Sequence, residues 1–117
     1  MQKSQNLAKL ATDALHDLKA LDLITLDIRD VTTLADTMII CSGRSNRHVK
    51  SLADSIVKSA KQNDVSYVKT EGEKEGDWVI VDLADVIVHI MLPTVRSFYN
   101  LEDLWEPLQD TKKQNIK

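Results

Sequence analysis

Residues Asp77–Pro93 read DWVIVDLADVIVHIMLP. Two runs rich in β-branched side chains, Trp78–Leu83 and Val86–Leu92, flank a short Ala84-Asp85 link. Each run has the length and composition of a strand buried on both faces. The link is short enough for a hairpin, although it lacks an Asn-Gly or Asp-Gly pair. Nothing else in the chain is as apolar, so the pair is expected near the middle of a sheet. Its polar members carry the functional information. Asp77, Asp82, Asp85 and His89 border or interrupt the runs, and Trp78 opens them. Such groups are costly in a core unless paired, which places them at strand ends or on a usable surface.

On the N-terminal side, Leu7, Leu10, Ala11, Ala14, Leu15, Leu18 and Leu21 recur at the spacing of one helix face, predicting a helix from about residue 5 to 21. The period then changes to two: Leu26 and Ile28 alternate with Thr25, Asp27 and Arg29, as in an edge strand with one wet face. Thr37–Cys41 reads as a short buried strand. Gly43 breaks it, and Ser45 is placed to cap a helix whose apolar stripe is Val49, Leu52, Ala53, Ile56, Val57 and Ala60. Val65–Lys69 is expected as a weaker strand, and residues 70–76, with three glutamates and two glycines, as an exposed loop. After Pro93, Thr94–Tyr99 reads as a turn of helix. Asn100 can cap a final helix carrying Leu101, Leu104, Trp105 and Leu108. The expected class is α/β in the mixed α+β sense: one domain over residues 1–110, with a mixed sheet of about five strands covered by helices, and a polar tail at 111–117.

The 117-residue length fits a single domain, and 43% hydrophobic with 28% charged residues is ordinary for a globular chain. The apolar runs are too short for a bilayer, and the first residues lack the block of a signal peptide. The one cysteine, Cys41, permits no internal disulfide. A cytoplasmic location is expected, with no membrane partner. A net charge of −3 argues against broad electrostatic binding to nucleic acid, leaving at most an incidental RNA contact at the basic corner Arg44, Arg47, His48 and Lys50.

Candidate chemistry is sparse. Ser42-Gly43-Arg44-Ser45 at a strand–helix joint is a place where free amides favour an anion, but without a phosphate-loop spacing a turn plus a cap explains it better. Asp82 and Asp85 lie three apart around a turn, with no third acid to complete a metal site. For them, a strand end and turn hydrogen bonds suffice. His89 in an apolar strand is more often structural than a base, and Cys41 more often a small buried group. The expectation is a protein that is neither an enzyme nor dependent on a cofactor or metal. Trp78 reads equally as a core anchor and as an aromatic hot spot for a partner. The acidic residues near it in sequence would suit a basic protein surface.

Several stretches together resemble one family: Asp36–Val49 (DTMIICSGRSNRHV), Glu71-Gly72, Asp77-Trp78, Val81–His89 (VDLADVIVH) and Arg96–Trp105 (RSFYNLEDLW). They look like the ribosomal silencing factor family, also called RsfS or Iojap proteins, over about residues 5–106. Ala84 is a departure from the resemblance, which leads one to expect glycine before the aspartate. The resemblance implies a nucleotidyltransferase-like fold lacking the catalytic carboxylates. It also implies binding to the large ribosomal subunit through ribosomal protein L-fourteen on the inter-subunit face. A factor bound there blocks joining of the small subunit and lowers translation when nutrients are scarce. Members are often dimers when free. On this resemblance the partner-binding residues are Trp78 as the aromatic anchor, Asp77, Asp82 and Asp85 as complementary charge, and His89, Arg96 and Tyr99. Two other functions fit the same residues: a large-subunit assembly factor, and a small nucleotide-binding protein using the Ser42-Gly43 turn with Asp82 and Asp85.

Overall fold

A computed structural model describes residues 2–101 of the chain. Its elements are α1 (Gln2–Asp17), β1 (Leu21–Asp27), β2 (Thr37–Ser42), α2 (Asn46–Gln62), β3 (Lys69–Glu71), β4 (Trp78–Asp82), β5 (Val86–Met91) and α3 (Pro93–Tyr99). The strands form one mixed sheet in the order β1-β2-β5-β4-β3. Only β2 and β5 run parallel; the other neighbours are antiparallel. The parallel pair is joined through α2, β3 and β4, which sets the two most buried strands side by side within the sheet.

The alternation of side chains across a pleated sheet gives it two unlike faces. Ile39, Cys41, Val79, Val81, Val86, Val88 and Ile90 point to one face. There they pack against Leu7, Ala11, Ala14 and Leu15 of α1 and Val49, Leu52, Ala53, Ile56 and Ala60 of α2. The opposite face holds a smaller cluster, Leu26, Ile28, Ala35, Met38, Ile40 and Met91, with Ile24, Trp78, Ile87, Val95 and Leu101 partly buried around it. Neither long helix covers this second face. Short α3 covers one end of it.

Predicted and observed elements differ where main-chain geometry decides. β5 is buried on both faces as expected, but β4 alternates buried with half-buried residues, neither long helix packing on its second face. The first helix ends at Asp17, short of the expected Leu21. Lys19 takes a left-handed φ of 60°, and the amides of Lys19 and Ala20 turn back to the carbonyls of His16 and Leu15, a Schellman closure. Leu18 is thereby left exposed, and Leu21 begins the edge strand. The edge strand carries an irregularity between Leu21 and Ile24, where Asp22 has a φ of 48°. The weak strand lies at Lys69–Glu71, where it pairs with Ile80–Asp82, and not at Val65–Lys69. Val65 and Val68 instead pack against the helix-side core.

The hairpin link holds Ala84 at a φ of 70°, the left-handed region in which glycine is unstrained, which gives a conformational reason for the glycine that the resemblance led one to expect there. The Asp82 side chain, not that of Asp85, makes the turn bond, accepting the Ala84 amide at 2.8 Å. The Asp85 carbonyl instead accepts the amides of Asp36 and Thr37. Asn100, expected to start a final helix, closes α3 with a φ of 54° and an amide bonded to the Arg96 carbonyl. The expected helix through Leu104, Trp105 and Leu108 and the polar tail lie outside the described residues.

Candidate functional site

The sheet face opposite α1 and α2 ends, among the described residues, in a row of aromatic rings. Trp78 starts β4 and points to this face beside its cross-strand neighbour Met91. Its indole N–H donates to Nδ1 of His89 at 3.0 Å, with the ring centroids 5.9 Å apart. Tyr99, at the last turn of α3, stands with its ring centroid 4.8 Å from that of Trp78, tilted by 51°. Phe98 meets Tyr99 edge-on at 5.0 Å and 87°. Such tilted and edge-to-face pairs sit at favourable quadrupole geometries. Exposure rises along the row: His89 is 9% exposed, Tyr99 57% and Phe98 81%. A buried polar anchor thus ends in two rings facing water.

Local sequence explains this placement. Pro93 stops β5 and begins α3, where a missing amide costs nothing. In this helix Val95 packs against the second core cluster, while Phe98 and Tyr99, one turn further along, are exposed. Arg96 is 8% exposed, and its Nη1–H donates to Ser42 Oγ at 3.2 Å, tying α3 to the end of β2. Arg96 therefore fixes the helix that carries the rings.

The predicted site residues separate into two groups. Trp78, His89 and Tyr99 come together, with Asp77 exposed at the start of the same strand and Arg96 buried beneath α3. Asp82 sits four residues along β4 from Trp78, about 13 Å at the rise of an extended strand. Asp85 lies beyond it and lines a groove with Leu7, Leu10 and Tyr67 on the helix-covered side. Those two carboxylates are not part of the aromatic row. Phe98, the most exposed ring, was missed by sequence reasoning. Spacing gave no signal for it: Phe98 and Tyr99 lie three and four residues after Val95, on the same face of a helix, so a Val95 packed against the core would place the two rings inward as well.

The other candidates resolve into structural roles. At the strand–helix joint the Gly43 amide donates to the Met91 carbonyl, the Arg44 amide to His48 Nδ1, and the His48 amide to the Ser45 cap. His48 Nε2 contacts the Leu18 carbonyl at 2.8 Å. The amides of Gly43, Arg44 and His48 are thus engaged within the protein, as in a turn plus a helix cap. Burial pushes the Cys41 thiol up to about 12, opposed only in part by Arg96, so it stays protonated and inert. Among the described residues no group of three or more His, Cys, Asp or Glu is placed to hold a metal. No helix among them is long and apolar enough to cross a membrane.

Comparison with known proteins adds the family. The model described as "Ribosomal silencing factor during starvation" matches residues 1–117. The ribosomal silencing factor RsfS of Chromobacterium violaceum is 48% identical over 101 residues, 86% of this chain and 83% of that protein. RsfS of Bacillus subtilis is 40% identical over 108 residues, 91% of this chain and 92% of its own length. The Mus musculus protein named "Mitochondrial assembly of ribosomal large subunit protein 1" is 34% identical over 105 residues, 84% of this chain but 46% of the mouse protein. A solved structure of a Chromobacterium violaceum protein superposes with a TM-score of 0.85 at 47% identity, covering 87% of this chain and 85% of that one. By the full-length family match and these identities, the chain belongs to the ribosomal silencing factor (RsfS) family.

Proposed function

We propose that this protein is a translational repressor that occupies the inter-subunit face of the large ribosomal subunit, holding ribosomal protein L-fourteen through the aromatic row. Bound there, its bulk blocks joining of the small subunit and lowers translation under nutrient limitation. No catalytic step or cofactor is required. The observation that carries this reading is the Trp78–Tyr99–Phe98 row, exposed on a sheet face that neither long helix covers. Aromatic rings partly held by the core present apolar area at little entropic cost, which is the usual make-up of a binding hot spot. Asp77 and the glutamates of the 71–75 loop next to Trp78 supply charge complementary to a basic partner. The same face would serve a homodimer in the absence of ribosomes.

The names of the relatives support a ribosomal role, and the mouse protein's name favours a second reading, assembly of the large subunit. Both readings need the same contact, and a subunit-joining assay separates them. For the nucleotide-binding alternative, the Gly43 and Arg44 amides of the Ser42–Ser45 joint are already bonded within the protein, and a nucleotide titration tests it.

The test is co-sedimentation with separated ribosomal subunits, comparing the natural protein with Phe98→Ala. The expected result is binding to the large subunit alone, inhibition of subunit joining, and about 30-fold weaker binding for the variant if Phe98 contributes as a hot spot. Binding to neither subunit would sink the proposal.

A further inference from the structure

Trp78 and His89 are not direct cross-strand partners. Trp78 pairs with Met91, and His89 pairs with Ile80 on β4 and Ile40 on β2. The indole reaches His89 diagonally along the sheet, within the distance that large side chains can span. What holds it in that direction is the bond from its N–H to His89 Nδ1. An indole N–H can only donate, so the bond requires Nδ1 unprotonated and the imidazole neutral, with its proton on Nε2. His89 meets this condition at neutral pH: burial pushes it down to about 4. Its carbon neighbours on the strands, Ile40 and Ile80, offer the indole no alternative acceptor. Tyr99 rests against the indole so placed, and Phe98 against Tyr99.

From this geometry, and resting on the repressor reading, we infer that His89 is a positioning residue for the partner-binding row. It is buried beneath the contact and does not touch the partner; it fixes the rotamer of Trp78, and through that ring the direction of Tyr99 and Phe98. Without the acceptor, Trp78 regains its side-chain freedom, and binding must then order that ring and those stacked on it. Side-chain ordering of this size weakens binding by up to about tenfold. Sequence alone left His89 as a weak contact candidate; its role follows from a diagonal bond that only the strand register reveals.

The test uses three full-chain variants. His89→Leu removes the acceptor. His89→Asn puts a carbonyl oxygen on the atom that bears Nδ1, restoring it. His89→Gln moves the oxygen one atom outward and serves as the second loss variant if His89→Leu does not fold. Two readouts are taken well below each variant's melting temperature. One is the nitrogen-15 indole N–H resonance of Trp78, assigned by its disappearance in Trp78→Phe. The other is affinity for purified large subunits. The inference expects a shifted resonance and binding weakened several-fold to tenfold in the loss variant, with both restored toward the natural values in His89→Asn. An unmoved resonance in the loss variant would overturn it, because the bond would then not hold the ring. So would natural affinity beside a moved resonance, because the ring's placement would not matter to the partner. If the natural protein binds no subunit, the repressor reading fails while the resonance still decides whether His89 holds the ring.

Discussion

Replacing Trp78 by alanine asks how far this ring belongs to the core and how far to a surface. Truncating a fully buried Trp costs about 3–5 kcal/mol. Trp78 is partly buried against the second core cluster, which scales the packing loss to about 2 kcal/mol. The change also strips His89 Nδ1 of its donor within a site 9% exposed, an additional cost of about 1 kcal/mol after water enters. The expected total is about 3 kcal/mol, and with it a melting temperature lower by roughly 10–20 °C for a domain of this size. Urea unfolding followed by far-ultraviolet circular dichroism measures it, since a midpoint shift at constant slope reports stability alone. A loss below about 1 kcal/mol would refute the reasoning: Trp78 would then be a surface ring, and its bond to His89 energetically empty. A loss near 3 kcal/mol means binding by Trp78→Ala is interpretable only where the variant stays folded. Phe98→Ala, 81% exposed in the parent, should stay within about 0.5 kcal/mol of it and is the cleaner probe of the partner.

Other consequences follow from single features of the structure. Ala84→Gly and Lys19→Gly each relieve a left-handed residue at a turn or helix closure and should raise stability by about 0.5–1 kcal/mol in urea unfolding. Gly72→Ala should do the opposite by about 2 kcal/mol or more, because its φ is 85° and an added Cβ would lie 2.1 Å from the Trp78 carbonyl oxygen. His89 takes up its proton near pH 6.5 when unfolded but only near pH 4 when folded. Its contribution is therefore complete above pH 6.5 and is lost as the pH falls toward 4, by about 3 kcal/mol at most. Unfolding free energies across that interval should fall more steeply in the natural protein than in His89→Asn. Cys41 should resist thiol reagents at pH 8 until the chain unfolds, since burial raises its pKa to about 12.

Much of this architecture is written in residue order. The Asp77–Pro93 run sets the β4–β5 hairpin, whose second strand lies in the middle of the sheet. The period of Val49, Leu52, Ile56 and Ala60 places α2, and Ser45 caps it as its position suggests. Family membership is likewise legible, being carried by side-chain identities spread over most of the chain. What only the tertiary structure decided is which face the two long helices cover and which residues meet on the other. Hydrophobic period tells that a strand has a face but not what covers it, so β4 read as buried on both sides until α1 and α2 were found on one side only. Nor can spacing along the chain separate Trp78 from Asp82 or unite it with Tyr99: an extended strand carries the first pair about 13 Å apart, whereas the turn at Pro93 folds α3 back over the sheet and brings the second pair to 4.8 Å. Contacts between residues distant in sequence depend on register and chain reversal, and these are set by the packing of the whole domain.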